Sequence, residues 1–188
     1  MKALIGEHKA HFPAYVDWES LENLNFDSEL DWLSEQWLTP ILDDGPPPEP
    51  KLRALWFGLF MTSRDGEPSY GMNFGGSHLF HLDGDADWAA AGLHWAEHNR
   101  PAKSDHLHAL WEFGDEEVVD VQNLALGYAV ITAANLLEQA GPALSYLGGS
   151  KAKPLGVAVS WNSGNPVYIG FIDQNGFRRR PAAKVKYR

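Results

Sequence analysis

Leu52-Arg53-Ala54-Leu55-Trp56-Phe57-Gly58-Leu59-Phe60-Met61-Thr62 is dense in apolar and aromatic side chains. Arg64-Asp65-Gly66-Glu67 follows, and Ser69 to Phe74 returns. Asp-Gly is a dipeptide that accepts the positive φ of a tight hairpin turn. The block therefore predicts two antiparallel strands, with His78 to Leu82 as a short third strand. Gly71, Gly75 and Gly76 mark bulges or a close backbone approach.

A second hairpin is expected at Leu155 to Trp161 and Val167 to Asp173, turning through Asn162-Ser163-Gly164-Asn165-Pro166. Gln174-Asn175-Gly176 starts a further turn into an edge strand at Phe177. Between the hairpins, Asp115-Glu116-Glu117 places negative charge where a helix macrodipole favours it. Val118, Val121, Ala125, Tyr128, Thr132 and Leu136 follow one helical stripe, and Gly141-Pro142 stops it. A helix from Asp115 to Ala140 with so broad an apolar surface should lie on the sheet. Ser104 should cap a shorter helix through Trp111. The stretch Asp83 to Pro101 is expected to be an irregular loop with a turn or two of helix.

Upstream, Asp17 can cap a short turn through Leu24. Ser28 and Asp31 form a weakened capping box before Leu30, Leu33, Trp37 and Ile41, a stripe at three- and four-residue spacing. Pro40 and the run Asp43-Asp44-Gly45-Pro46-Pro47-Pro48-Glu49-Pro50 should end that helix. The predicted fold class is α+β: an antiparallel sheet built from two hairpins, packed by a long helix, with N-terminal helices at an edge or on the other face. Residues 1–188 read as a single domain, with a helical part over 1–42 and a Pro-rich linker over 43–50. An α+β core then covers 51–177 and a basic tail 178–188.

Twenty-five carboxylates against fifteen Lys and Arg leave a net charge of −10. That balance opposes nucleic acid and anionic membranes as partners and suits a basic protein. The tail from Arg178 to Arg188 holds six of the fifteen basic residues and should dock on the acidic body or remain disordered. With no cysteine, thiolate chemistry and disulfides are excluded. The charged N-terminus argues against a signal peptide, and Asp120, Gln122, Asn123 and Asn135 break the longest weakly charged stretch. A cytoplasmic location is the expectation. Eight Trp supply core mass and candidate anchors for a binding face.

Each chemical motif has a bland competitor. His94, Glu97 and His98 match H-x-x-E-H, which on a long helix puts two imidazoles on one zinc. Gly92 and Pro101 bracket it too closely for such a helix, so surface histidines are the bland alternative. Asp83, Asp85 and Asp87 alternate like a calcium loop, but Trp88 and His94 stand where Gly and Glu are required. The pairs His78 with His81 and His106 with His108 read as ordinary polar positions or, less favoured, a metal site. Gly75-Gly76-Ser77-His78 and Gly148-Gly149-Ser150-Lys151 lack the strand-to-helix setting of a phosphate loop. No cofactor and no catalytic residue is assigned.

Trp56-Phe57-Gly58-Leu59, Gly75-Gly76-Ser77, Asp83-Gly84-Asp85-Ala86-Asp87-Trp88, a long helix and a hairpin from Gly156-Val157-Ala158-Val159 to Tyr168-Ile169-Gly170 follow in that order. This layout resembles small acidic bacterial proteins that look like immunity proteins encoded beside secreted toxins. The resemblance covers Leu55 to Phe177 and leaves out the first fifty residues. Those relatives often carry an acidic Gly-Asp turn in the final hairpin, where this chain has Ser163-Gly164-Asn165. The resemblance implies a cytosolic binding protein that occludes a cognate toxin. Asp83, Asp85, Asp87 and Trp88, with Asp43 and Asp44, are the expected contact surface. A zinc-dependent hydrolase using residues 94–98 and a structural homodimer built on Trp residues are the alternatives.

Overall fold

The computed structural model describes residues 1–11, 18–44, 52–64, 67–81, 93–95, 101–112, 121–140, 143–144, 154–162 and 166–180. The first hairpin is longer than the apolar block alone indicates. β1 (Ala54–Arg64) and β2 (Glu67–Ser77) pair antiparallel over their whole length, from Ala54↔Ser77 to Arg64↔Glu67. The chain does not go straight on into a third strand. The Ser77 hydroxyl accepts the Leu79 N–H at 3.1 Å, which turns residues 78–81 out of the ladder. The outer edge of β2 is taken instead by β3 (Leu93–Trp95) and β4 (Ala102–Lys103), inside and just after the stretch expected to be loop.

The second hairpin falls where the sequence puts it. β5 (Leu155–Trp161) pairs antiparallel with β6 (Val167–Asp173), and β7 (Gly176–Arg179) follows on β6. Gly176 closes the last turn at φ 102°, a conformation glycine adopts without a Cβ penalty. Asn175 donates its N–H to the Asp173 carboxylate at 2.7 Å there. The hairpins join through β1 and β5, which run parallel from Ala54↔Gly156 to Leu59↔Trp161. Among the described residues the sheet is therefore mixed, in the order β3-β2-β1-β5-β6-β7, with β4 also on β2.

Alternation sorts the side chains. Leu55, Phe57, Leu59, Met72, Phe74, Val157 and Val159 belong to the main core, while Ala54, Trp56 and Ala158 form a separate small cluster. The helices among the described residues are α1 (Lys2–His11), α2 (Trp18–Asn23), α3 (Ser28–Asp44), α4 (Asp105–Glu112) and α5 (Val121–Ala140). α5 lies on β1, β5 and β7, and α4 lies on β2. α3 takes the same face, because Trp37 meets Phe57 at 5.5 Å and Phe74 at 6.4 Å between ring centroids. The N-terminal helices thus share one layer with α5 rather than covering an edge or the far side, and one core runs from Ile5 to Ile172.

Pro40 does not end α3, which continues to Asp44. Proline costs the helix the bond to the Gln36 carbonyl, but Leu33, Trp37 and Leu38 are already buried and hold this segment down. Asp43 and Asp44 are therefore the last helical residues rather than the start of a linker. Ser28 uses its hydroxyl on the Asn25 carbonyl at 2.8 Å instead of forming the expected capping box. Ser104 caps α4 as expected, its Oγ accepting the Leu107 N–H at 3.0 Å. No helix among the described residues is long and apolar enough to cross a membrane.

Candidate functional site

Most of the sequence-predicted contact residues fall outside the described structure. Asp83, Asp85, Asp87 and Trp88 lie outside the described residues, as do Glu97 and His98. Asp43 and Asp44 close α3. His94 sits in strand β3, paired alongside Gly76 and Ser77. The H-x-x-E-H reading needs its first histidine on a helix, and it is not on one. His106 and His108 both fall on α4 but face different partners: His106 meets Glu29, and His108 Nε2 lies 3.2 Å from Glu112. Among the described residues no group of three His, Asp or Glu could hold a metal ion.

Two arrangements carry the chemistry instead. The first is a buried polar cluster on Glu29, which is 8% exposed. Glu29 Oε2 accepts from Ser104 Oγ at 2.6 Å and from Tyr128 OH at 2.7 Å. His106 Nδ1 stands 3.3 Å from the same oxygen. Glu29 Oε1 accepts the backbone N–H of His106 at 2.8 Å. Burial alone would raise this carboxyl, but the donors from His106, Ser104 and Tyr128 outweigh it and hold the pKa near 2. The Tyr128 hydroxyl is pushed up, first by burial and then by the Glu29 charge and hydrogen bond.

Ser, His and Glu invite comparison with a hydrolytic triad, and the geometry rejects it. A nucleophilic serine gives its proton to imidazole; Ser104 gives its proton to the carboxylate and accepts from Leu107. Ser104 is also only 2% exposed. The cluster ties α3, α4 and α5 together, and Phe26 covers it, 5.3 Å from the His106 ring and 5.6 Å from Tyr128.

The second arrangement is a pocket of about 420 Å³, lined by Leu59, Phe60, Met61, Trp111, Gln122, Trp161 and Asn162. It opens where the pairing of β5 with β1 ends, at Leu59↔Trp161. Trp111 and Trp161 meet edge to face at 6.0 Å, and Tyr70 stacks on Trp111 at 5.2 Å. The Trp161 indole N–H is buried and has no acceptor among the described residues. Met61 stands 59% exposed at the rim, while Gln122 and Asn162 supply amides. Asn162 is fixed twice: its N–H donates to the Leu59 carbonyl at 2.9 Å, and its Oδ1 accepts from Asn73 at 3.4 Å.

The basic tail begins as structure. Arg179 in β7 donates to Glu138 at 2.6 and 2.9 Å and to Asn135 at 3.0 Å, and Arg178 pairs with Asp173 at 3.1 Å. The Arg179 guanidinium holds the Glu138 carboxyl below its ordinary value. These contacts seat the first two residues of the tail on acidic side chains of the body, and residues 181–188 lie outside the described residues. Arg180 stands over the Tyr168 ring at 5.0 Å.

Comparison with known proteins finds no matching family model, no matching curated protein and no matching solved structure. The fold and the two arrangements above are what the chain offers as guides to its function.

Proposed function

We propose that this chain is a cytosolic protein-binding domain of the immunity type, which neutralises a basic secreted toxin by occluding its active site. The observation that carries the reading is the pocket beside the exposed Met61, walled by Trp111 and Trp161. Tryptophan dominates binding energy at protein interfaces because it buries a large area at a small entropic cost. A net charge of −10 supplies the second ingredient, fast and selective association with a cationic surface. The buried Ser104–Glu29–His106 cluster supports the same reading, since its serine is committed to holding helices together.

Co-expression tests it. Cells producing the secreted effector encoded beside this gene should die, and cells that also produce this chain should survive. Death in both cultures, with both proteins detected as soluble, would sink the proposal. The acidic residues Asp83, Asp85 and Asp87 are proposed to widen the contact surface, and their charge reversal is the corresponding test.

A further inference from the structure

The two edges of β1 are used unequally. β2 pairs with it from Ala54 to Arg64, whereas β5 pairs with it only from Ala54 to Leu59. The last bond on the β5 side is the Asn162 N–H donating to the Leu59 carbonyl. Along an extended strand every second residue turns its N–H and C=O to the same side. Met61 and Ser63 therefore aim their backbone groups at the side where β5 has ended, and no described residue pairs with them there. Open edges are usually blunted by lysine, proline or a bulge because they template pairing with another chain. Phe60-Met61-Thr62-Ser63 contains neither lysine nor proline, and its register with β2 is unbroken.

This edge borders the pocket. Leu59, Phe60 and Met61 line one part, and Trp111 and Trp161 line another. An added strand would gain backbone hydrogen bonds from Met61 and Ser63, and alternate side chains of that strand would face the pocket. A second copy of this chain is a poor occupant, because each copy carries −10. A cationic segment is attracted by the same charge, and the Glu112 side chain, 66% exposed, follows directly after Trp111.

We propose that the edge of β1 at Met61–Ser63, open among the described residues, receives an extended, cationic segment of the partner, which continues the line of β5 and sets one apolar side chain against the Trp111–Trp161 pair. The proposal rests on the protein-binding reading above and names its mode.

The test titrates two synthetic octapeptides, one alternating Lys and Val and one alternating Glu and Val, into the 188-residue chain. Amide and indole resonances are followed by NMR. The Lys peptide should move the Met61 and Ser63 amides and the Trp111 and Trp161 indole signals, and should bind at least tenfold more tightly than the Glu peptide. Ser63→Pro removes an edge N–H without touching the β2 ladder, and proline is tolerated on an edge. It should weaken the Lys peptide about tenfold, roughly the loss of one to two interstrand bonds. Its amide spectrum away from the β1–β2 hairpin should be unchanged.

Equal binding of both peptides, or Lys-peptide binding indifferent to Ser63→Pro, would overturn the edge. So would concentration-dependent shifts of Met61 and Ser63 without any peptide, which would mean that copies of the chain pair with one another. If neither peptide binds while the effector still does, the edge inference fails and the protein-binding reading stands. If the effector fails as well, both fail.

Discussion

Glu29→Gln should destabilise the protein at neutral pH and flatten its response to acid. Holding this carboxyl near 2 instead of 4.5 is worth about 3 kcal/mol at pH 7, taking about 1.4 kcal/mol per pH unit. The sign follows from the direction. A depressed carboxylate contributes fully above the unfolded value, and that contribution drains away as pH falls from about 4.5 toward about 2. Glutamine is nearly isosteric but carries an NH2 group on one side. If that group faces the His106 N–H, two donors oppose each other; if it faces Ser104 and Tyr128, both lose their acceptor. Either orientation leaves a buried donor unmet, at a cost of roughly 1–3 kcal/mol for each. The assay is urea denaturation of both proteins from pH 7 down to pH 2.5. Wild type should lose about 3 kcal/mol across the acid range from this group; the variant should start about 2–4 kcal/mol lower and show a shallower slope. A variant within about 0.5 kcal/mol of wild type at pH 7, the scale of an ordinary surface change, would refute the reasoning.

Tyr128→Phe removes one of the donors to Glu29 and should cost about 1.5–3 kcal/mol in urea denaturation, the range for a bond to a charged group. Gly58→Ala puts a Cβ into the Trp56 ring and the Asn162 amide. The ring is pinned by its bond to Ser160 at 2.8 Å, so a loss of about 1–3 kcal/mol is expected from overpacking, read as a lower melting temperature. Arg179→Ala should cost under about 1 kcal/mol, because both partners of its pair with Glu138 are about half exposed, and that cost should shrink in high salt. Reversing Asp85 and Asp87 to Lys should weaken effector binding and flatten its salt dependence, measured by calorimetry at two ionic strengths; unchanged affinity and slope would remove that loop from the contact surface.

Much of the fold was legible because it rests on local signals. The dipeptides Asp65-Gly66 and Asn175-Gly176 are hairpin signals in the sequence, and the apolar stripe through Tyr128 signals the packing helix. What was illegible depends on long-range geometry. The parallel joining of β1 and β5 brings Leu59 beside Trp161, a pairing no periodicity encodes. Strands β3 and β4 are short pieces recruited by the free edge of β2, and a three-residue strand has too little pattern to read. Pro40 is a breaker by rule, overridden by the burial of Trp37 and Leu38.

The candidate sites were hidden for a related reason. Glu29 neighbours Leu30 in an amphipathic helix and looks like a solvent-facing acid; only the approach of Ser104, His106 and Tyr128 makes it a buried hub. The one hint was Tyr128, a residue with a polar tip inside an apolar stripe. Trp111 and Trp161 were visible as large side chains, but their meeting fifty positions apart needed the fold.

The central claim is that this chain binds a basic toxin through an acidic surface with aromatic anchors. Calorimetry of the 188-residue chain with a secreted basic effector, if one is encoded beside its gene, tests it most directly, at about 50 and 300 mM salt, a range over which charge-steered association weakens strongly. The account predicts one-to-one binding that falls at least tenfold at the higher salt and an effector with no residual activity in the complex. No heat of binding, or a complex in which the effector remains active, would contradict it.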